Sequence, residues 1–271
     1  MPLIDMALFA ATIAFAGVVS GLFAGAFGIG GGAVLVPVFY QLFGLLDVSD
    51  LVRMHLSVGS SLAIIVPTSL RSTLAHRARG AVDEDLLRSY IISVPAGTVL
   101  ASLSAAYISS GELRILFTVF ALLFGLKMLF NRQTWRIGTE LPGNPGRSIF
   151  GIALGFLSTL LGIGGGIMNN TFMTLYGRPI HQAVATSAGV GTLIAVPGTI
   201  GYIWAGWGNP LLPLGSTGFV NWIAVALVIP IAWMVTPLGV RLAHWLSKRQ
   251  LEIGFGLFCL AVSIRFFVSL F

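Results

Sequence analysis

Charge is what this chain has least of. Lys, Arg, Asp and Glu make up 9% of its 271 residues, against about 25% in ordinary soluble domains, so a normal water-facing surface is excluded. The four histidines form no metal-spaced cluster, and no nucleophile has a nearby His partner, which leaves neither a cofactor nor a metal centre to expect. Ser20 in Gly17-Val-Val-Ser-Gly21 lacks the full Gly-x-Ser-x-Gly setting of a nucleophile elbow. The single cysteine, Cys259, excludes an internal disulfide. No Lys or Arg precedes the first apolar run, so the basic start of a secretory signal is missing and that run is expected to stay as a membrane segment.

Apolar residues fill 56% of the chain and mean hydropathy is +0.94, the composition of an all-α polytopic membrane protein. Apolar runs lie at about 7–27, 33–46, 55–70, 86–108, 113–130, 148–161, 167–177, 183–205, 218–240 and 250–270. A spanning helix needs about 20 residues; 33–46, 148–161 and 167–177 fall short. The net charge of +6 sits in turns between runs rather than in a patch with interleaved aromatics, which argues for orientation in a bilayer and against nucleic acid.

What the chain has in excess is glycine, arranged twice in one pattern. Gly28-Ile29-Gly30-Gly31-Gly32 recurs as Gly162-Ile163-Gly164-Gly165-Gly166, and Gly17 and Gly21 before the first copy match Gly151 and Gly155 before the second. Ser57 and Pro67 likewise align with Ser187 and Pro197 once short gaps are allowed. Glycine weakens a helix by about 1 kcal/mol per residue, so each cluster is read as a break in a helix. Gly28-x-Gly30-x-x-Ala33 also mimics a dinucleotide fingerprint, but no βαβ pattern surrounds it.

The duplication divides the chain into a first bundle at 1–130, a polar linker at 131–147 and a second bundle at 148–271. Twelve of the fifteen basic residues lie in the 71–88 loop, around the linker, at Arg178 and at 241–249. Placing them on the cytoplasmic side puts both termini outside and makes the halves run in opposite senses. The expected fold is therefore two inverted repeats of about five helical segments each, with glycine-broken helices near the midplane, a recurrent plan of secondary transporters. Each break is either a turn between two spans or the tip of a re-entrant hairpin.

The paired Gly-Ile-Gly-Gly-Gly clusters, the spaced glycines before them and Val36-Pro37 after the first copy resemble the sulfite exporter TauE/SafE family, also called toluene-sulfonate uptake permeases. The resemblance implies transport of small sulfur-containing or related organic anions, such as sulfite, sulfoacetate, sulfonates or thiosulfate. An anion channel of the same architecture, a membrane-embedded enzyme and a non-transporting subunit are the rivals.

Candidate substrate-binding residues follow from the breaks: Gly28, Gly30, Gly31 and Gly32 with Gly162, Gly164, Gly165 and Gly166, whose freed N–H groups at half-helix N-termini suit an anion. Asn169 and Asn170 follow the second cluster, where the first copy has only apolar residues. Buried amides in such a run cap freed backbone or donate to substrate oxygens. Ser57 and Ser187 join them because the repeat pairs them, although such hydroxyls also bond their own helix. The expected partners are a small anion, the lipid bilayer and a coupling proton or ion. Every carboxylate falls near a run boundary or loop, so no buried proton relay is visible.

Overall fold

The computed structural model describes residues 14–23, 25, 31–130, 136–245 and 248–269. Helices α1 (Ala14–Phe23), α2 (Gly32–Leu45), α3 (Asp50–Arg77), α4 (Glu84–Ala105) and α5 (Ser110–Phe130) form the first half. Helices α6 (Gly146–Leu160), α7 (Gly166–Leu175), α8 (Ile180–Ala205), α9 (Trp222–Trp245) and α10 (Lys248–Val268) form the second. The described sheet is one hairpin, β1 (Ser216–Thr217) against β2 (Val220–Asn221). Five helices, α3, α4, α5, α8 and the 222–239 part of α9, are long and apolar enough to cross a bilayer, and the chain is a multi-pass membrane protein.

Polar residues at the run boundaries set the helix starts. Ser109 and Glu112 cap α5 reciprocally, with Ser109 N–H donating to Glu112 Oε2 at 2.7 Å and Glu112 N–H to Ser109 Oγ at 3.2 Å, a capping box that satisfies two free donors. Asp83 Oδ1 accepts from Leu86 N–H at 3.0 Å to start α4. Ser49 starts α3 five residues before the apolar run suggests, because a helix once capped extends through polar residues until its own stop. Glu252, expected at a boundary, is 5% exposed within α10, just past its first turn.

Helices α3 and α8, and likewise α5 and α10, pack against each other in antiparallel pairs. Ser69 Oγ lies 3.1 Å from Thr192 Oγ1, a Cβ at Gly198 would meet Leu62, and one at Gly59 would meet Tyr202. The numbers rise along α3 as they fall along α8. The α5–α10 pair runs the same way: Ser263 Oγ donates to Thr118 O at 3.1 Å, Phe117 meets Phe266, and Gly125 abuts Gly256.

The short helices form hairpins. Phe150 of α6 stacks on Phe172 of α7 with ring centroids 3.9 Å apart, and Ile137 N–H donates to Leu175 O at 2.9 Å. The α6–α7 hairpin therefore enters and leaves at the end of the bundle where α4 begins. With α7 only 10 residues long, about 15 Å, it returns from halfway, and the second glycine cluster is a hairpin tip rather than a turn between spans. Helix α1 runs alongside α9, with Gly17 against Ile231, Gly21 against Ala232 and Gly239 against Leu22. It enters from the opposite end, to which α2 returns.

The spaced glycines that precede each cluster act as packing surfaces. A Cβ at Gly155 would lie 2.1 Å from Val94 O of α4, and one at Gly21 2.7 Å from Ala232 O of α9. Small residues let membrane helices approach this closely.

Candidate functional site

Gly31 and Gly32, the described part of the first glycine cluster, meet the second cluster halfway along α3 and α8. Gly31 and Gly165 occupy equivalent positions as the N-cap residues of α2 and α7, with φ of 75° and 68°. That left-handed conformation costs a non-glycine residue about 1–2 kcal/mol, which explains a glycine at the same place in both copies. Gly32 lies against the Gly162–Ile163 backbone: a Cβ there would be 2.5 Å from Gly162 O. Ser61 Oγ of α3 donates to Gly162 O at 2.9 Å and ties the second tip to the central pair. Gly28 and Gly30 lie outside the described residues.

Gly162, Gly164, Gly165 and Gly166 are all buried. Gly162 and Ile163 donate to Thr159 O and Ser158 O. Among the described residues, the N–H groups of Gly164, Gly165 and Gly166 have no backbone acceptor, as befits the open start of a helix. A buried donor left without a partner costs about 1–3 kcal/mol. Three together at the positive end of α7 make a place where an acceptor-rich anion gains bonds that the protein does not otherwise make.

The amides after the tip are joined through α8. Asn169, fully buried, donates from Nδ2 to Ser187 Oγ at 2.8 Å, and Ser187 Oγ donates to Asn170 Oδ1 at 2.7 Å. Asn169 Oδ1 is buried without a partner. The amides thus bridge α7 to α8 rather than cap the freed backbone. Amide orientation is assigned from the network; with both amides turned, Asn169 would offer an N–H where its carbonyl now sits. Lys127 of α5 donates to Thr171 Oγ1 on the same helix, a contact that a reading of basic residues as topology signals alone does not provide.

Ser57 and Ser187, paired by the repeat, are not brought together. Ser57 Oγ donates to Arg53 O of its own helix at 2.7 Å. In the antiparallel pair Ser187 is level with residue 74 of α3, about 25 Å along the axis from Ser57. Antiparallel packing puts the two serines at opposite ends of the pair. Conversely, Ser20, set aside as a nucleophile in the sequence, lies at the first tip: a Cβ at Gly31 would clash with Ser20 Oγ, and that buried hydroxyl has no partner.

Between the hairpin tips and the α5–α10 pair is a cavity of about 10 Å³ lined by Ala33, Ile163, Ile167, Phe117, Phe124 and Phe258 among others. It has room for about one water. At the end where α3 and α5 begin, the segment carrying Phe219 folds over the bundle. Phe219 stacks on His55 with centroids 4.7 Å apart and donates its N–H to Tyr202 O at 3.0 Å. Phe219→Ala is expected to lower unfolding stability in detergent by about 3–5 kcal/mol, read by thermal denaturation.

No solved structure matches the chain. A probable membrane transporter protein of Haemophilus influenzae is 32% identical over 256 residues, covering 93% of this chain and 96% of that one. Probable membrane transporter proteins of Methanocaldococcus jannaschii and Bacillus subtilis are 28% and 26% identical; the alignments cover 88% and 87% of this chain and 87% and 89% of theirs. The family model for the sulfite exporter TauE/SafE matches residues 13–266, nearly the whole length, and the chain belongs to that family.

Proposed function

We propose that this membrane transporter moves a small anion, a sulfur oxyanion or organosulfonate such as sulfite or sulfoacetate, across the cytoplasmic membrane by alternating access. The observation that carries the proposal is the buried set of free N–H donors at Gly164, Gly165 and Gly166, at the start of a half-helix midway through the bundle. The antiparallel pairing of α3 with α8 and of α5 with α10 supports reading 1–130 and 148–271 as inverted repeats, and the distribution of basic residues supports a cytoplasmic linker with both termini outside. The small volume of the cavity beside the second tip, about 10 Å³, supports a carrier that must rearrange to admit its substrate over a permanently open channel.

Counterflow in liposomes tests the reaction. Vesicles loaded with unlabelled sulfite are expected to accumulate labelled sulfite transiently above the outside concentration, with saturable initial rates. Unsaturable flux without counterflow for sulfite, thiosulfate and sulfoacetate alike would replace the carrier with a channel. Binding is read separately as thermal stabilisation across sulfite, sulfate, thiosulfate, sulfoacetate, taurine and acetate. A true ligand at 100 times its Kd is expected to add about 2.7 kcal/mol.

A further inference from the structure

A second cavity, of about 340 Å³, opens at the end of the bundle where α3 and α5 begin, and it is more polar than the space at the tips. Tyr40, Asp50, His55, Ser109, Arg114 and Asn209 contribute to its lining, and Phe219 walls it toward the interior. In this measure one water needs only about 10–15 Å³, so the cavity has room for an oxyanion together with water.

Its two charged lining residues, Asp50 and Arg114, are not ion-paired with each other. Asp50 Oδ1 is 3.0 Å from Arg53 Nη1, which neutralises that carboxylate. Arg114 has no carboxylate partner among the described residues. Its Nη1 donates to Tyr40 Oη at 2.7 Å, while its Nε is buried without a partner. Tyr40 in turn donates to Asp50 Oδ1 at 3.1 Å, so the tyrosine holds the guanidinium in place and leaves its charge unspent. His55 Nε2 faces the Ala105 and Ile108 carbonyls at 3.1 and 3.0 Å, the arrangement of a ring donating from Nε2. Arg114 is the cation of the lining, and Asp50, the lining carboxylate, is paired with Arg53 from outside it. A planar guanidinium with unused donors suits a carboxylate, sulfonate or sulfur oxyanion.

We propose that this cavity is an anion-binding vestibule, separate from the glycine tips, in which Arg114 binds a small oxyanion and Tyr40 positions Arg114. The assignment rests on local charge and geometry and stands whether or not the tips bind substrate.

The test uses the full-length protein in detergent with Cys259→Ala and with Leu51→Cys as reporter; Leu51 lines the cavity and is 72% exposed. Modification of the reporter by an anionic methanethiosulfonate is expected to exceed modification by a cationic one by about tenfold, after correction for a free thiol. Sodium sulfate is expected to slow the anionic reagent several-fold relative to potassium gluconate of equal ionic strength. Arg114→Gln should remove both effects, Arg114→Lys should keep part of them, and Tyr40→Phe should weaken the protection even if Arg114→Gln does not fold. Equal rates for the two reagents, or no sulfate protection in the reporter protein, would overturn the vestibule. Asn169→Leu, expected to disable the tips, should leave the protection intact. Protection lost in Asn169→Leu would place the bound sulfate at the tips and refute this second site.

Discussion

Gly32→Ala is expected to reduce transport at least tenfold and to lower stability, although alanine is the better helix former by about 1 kcal/mol. The added Cβ would lie 2.5 Å from Gly162 O and 3.0 Å from Ile163 Cα, with Ile65 Cδ1 at 2.7 Å. Ile65 can turn aside, but the other two atoms are backbone of the opposing hairpin, so the tips must separate. Overpacking of this kind costs about 1–3 kcal/mol; if the bound state bears that cost, affinity falls roughly tenfold to a hundredfold. Initial uptake rates in liposomes and thermal unfolding of the same preparation read the two effects. Gly254→Ala is the control: nothing lies within 4 Å of its added Cβ, and it should transport as the parent protein does. Parental transport by Gly32→Ala would mean that contact between the tips is not required.

Asn169→Leu is expected to abolish transport with little loss of stability. Leucine is close in shape, and the amide it replaces is fully buried with an unpartnered carbonyl, a group that already destabilises the fold. Ser187 keeps its bond to Asn170 Oδ1, so the change in unfolding free energy should stay within about 1 kcal/mol, on either side of zero. Ser187→Ala is expected to behave differently: it removes the atom that both amides share, with an expected loss of about 1–3 kcal/mol. This pair separates a polar group kept for substrate from one kept for helix contact. Parental transport by Asn169→Leu, with a large fall in stability, would assign the amide to structure alone.

Much of the architecture was legible because the bilayer allows few solutions. Scarce charge and ten apolar runs determine a helical membrane bundle, since a spanning backbone must satisfy its own hydrogen bonds. The short runs beside Gly28–Gly32 and Gly162–Gly166 correspond to α2, α6 and α7, and the glycines recurring at Gly31 and Gly165 mark equivalent left-handed N-caps. Those features are local, so composition and spacing carry them.

What the tertiary structure alone decided is which residues share a place. Pairing by repeat grouped Ser57 with Ser187, yet antiparallel packing of α3 and α8 sends them to opposite ends and leaves Ser61 to bond the Gly162 carbonyl. Ser20 beside Gly31 and Lys127 on Thr171 were no more visible. The hairpin form of α6–α7 rests on the Phe150–Phe172 stack, and the unspent charge of Arg114 on the absence of a carboxylate partner among the described residues. The physical reason is common to all of them. Periodicity reports which face of a helix is apolar, but lipid-facing and helix-facing surfaces share one composition in a membrane, so only packing assigns each polar side chain its partner.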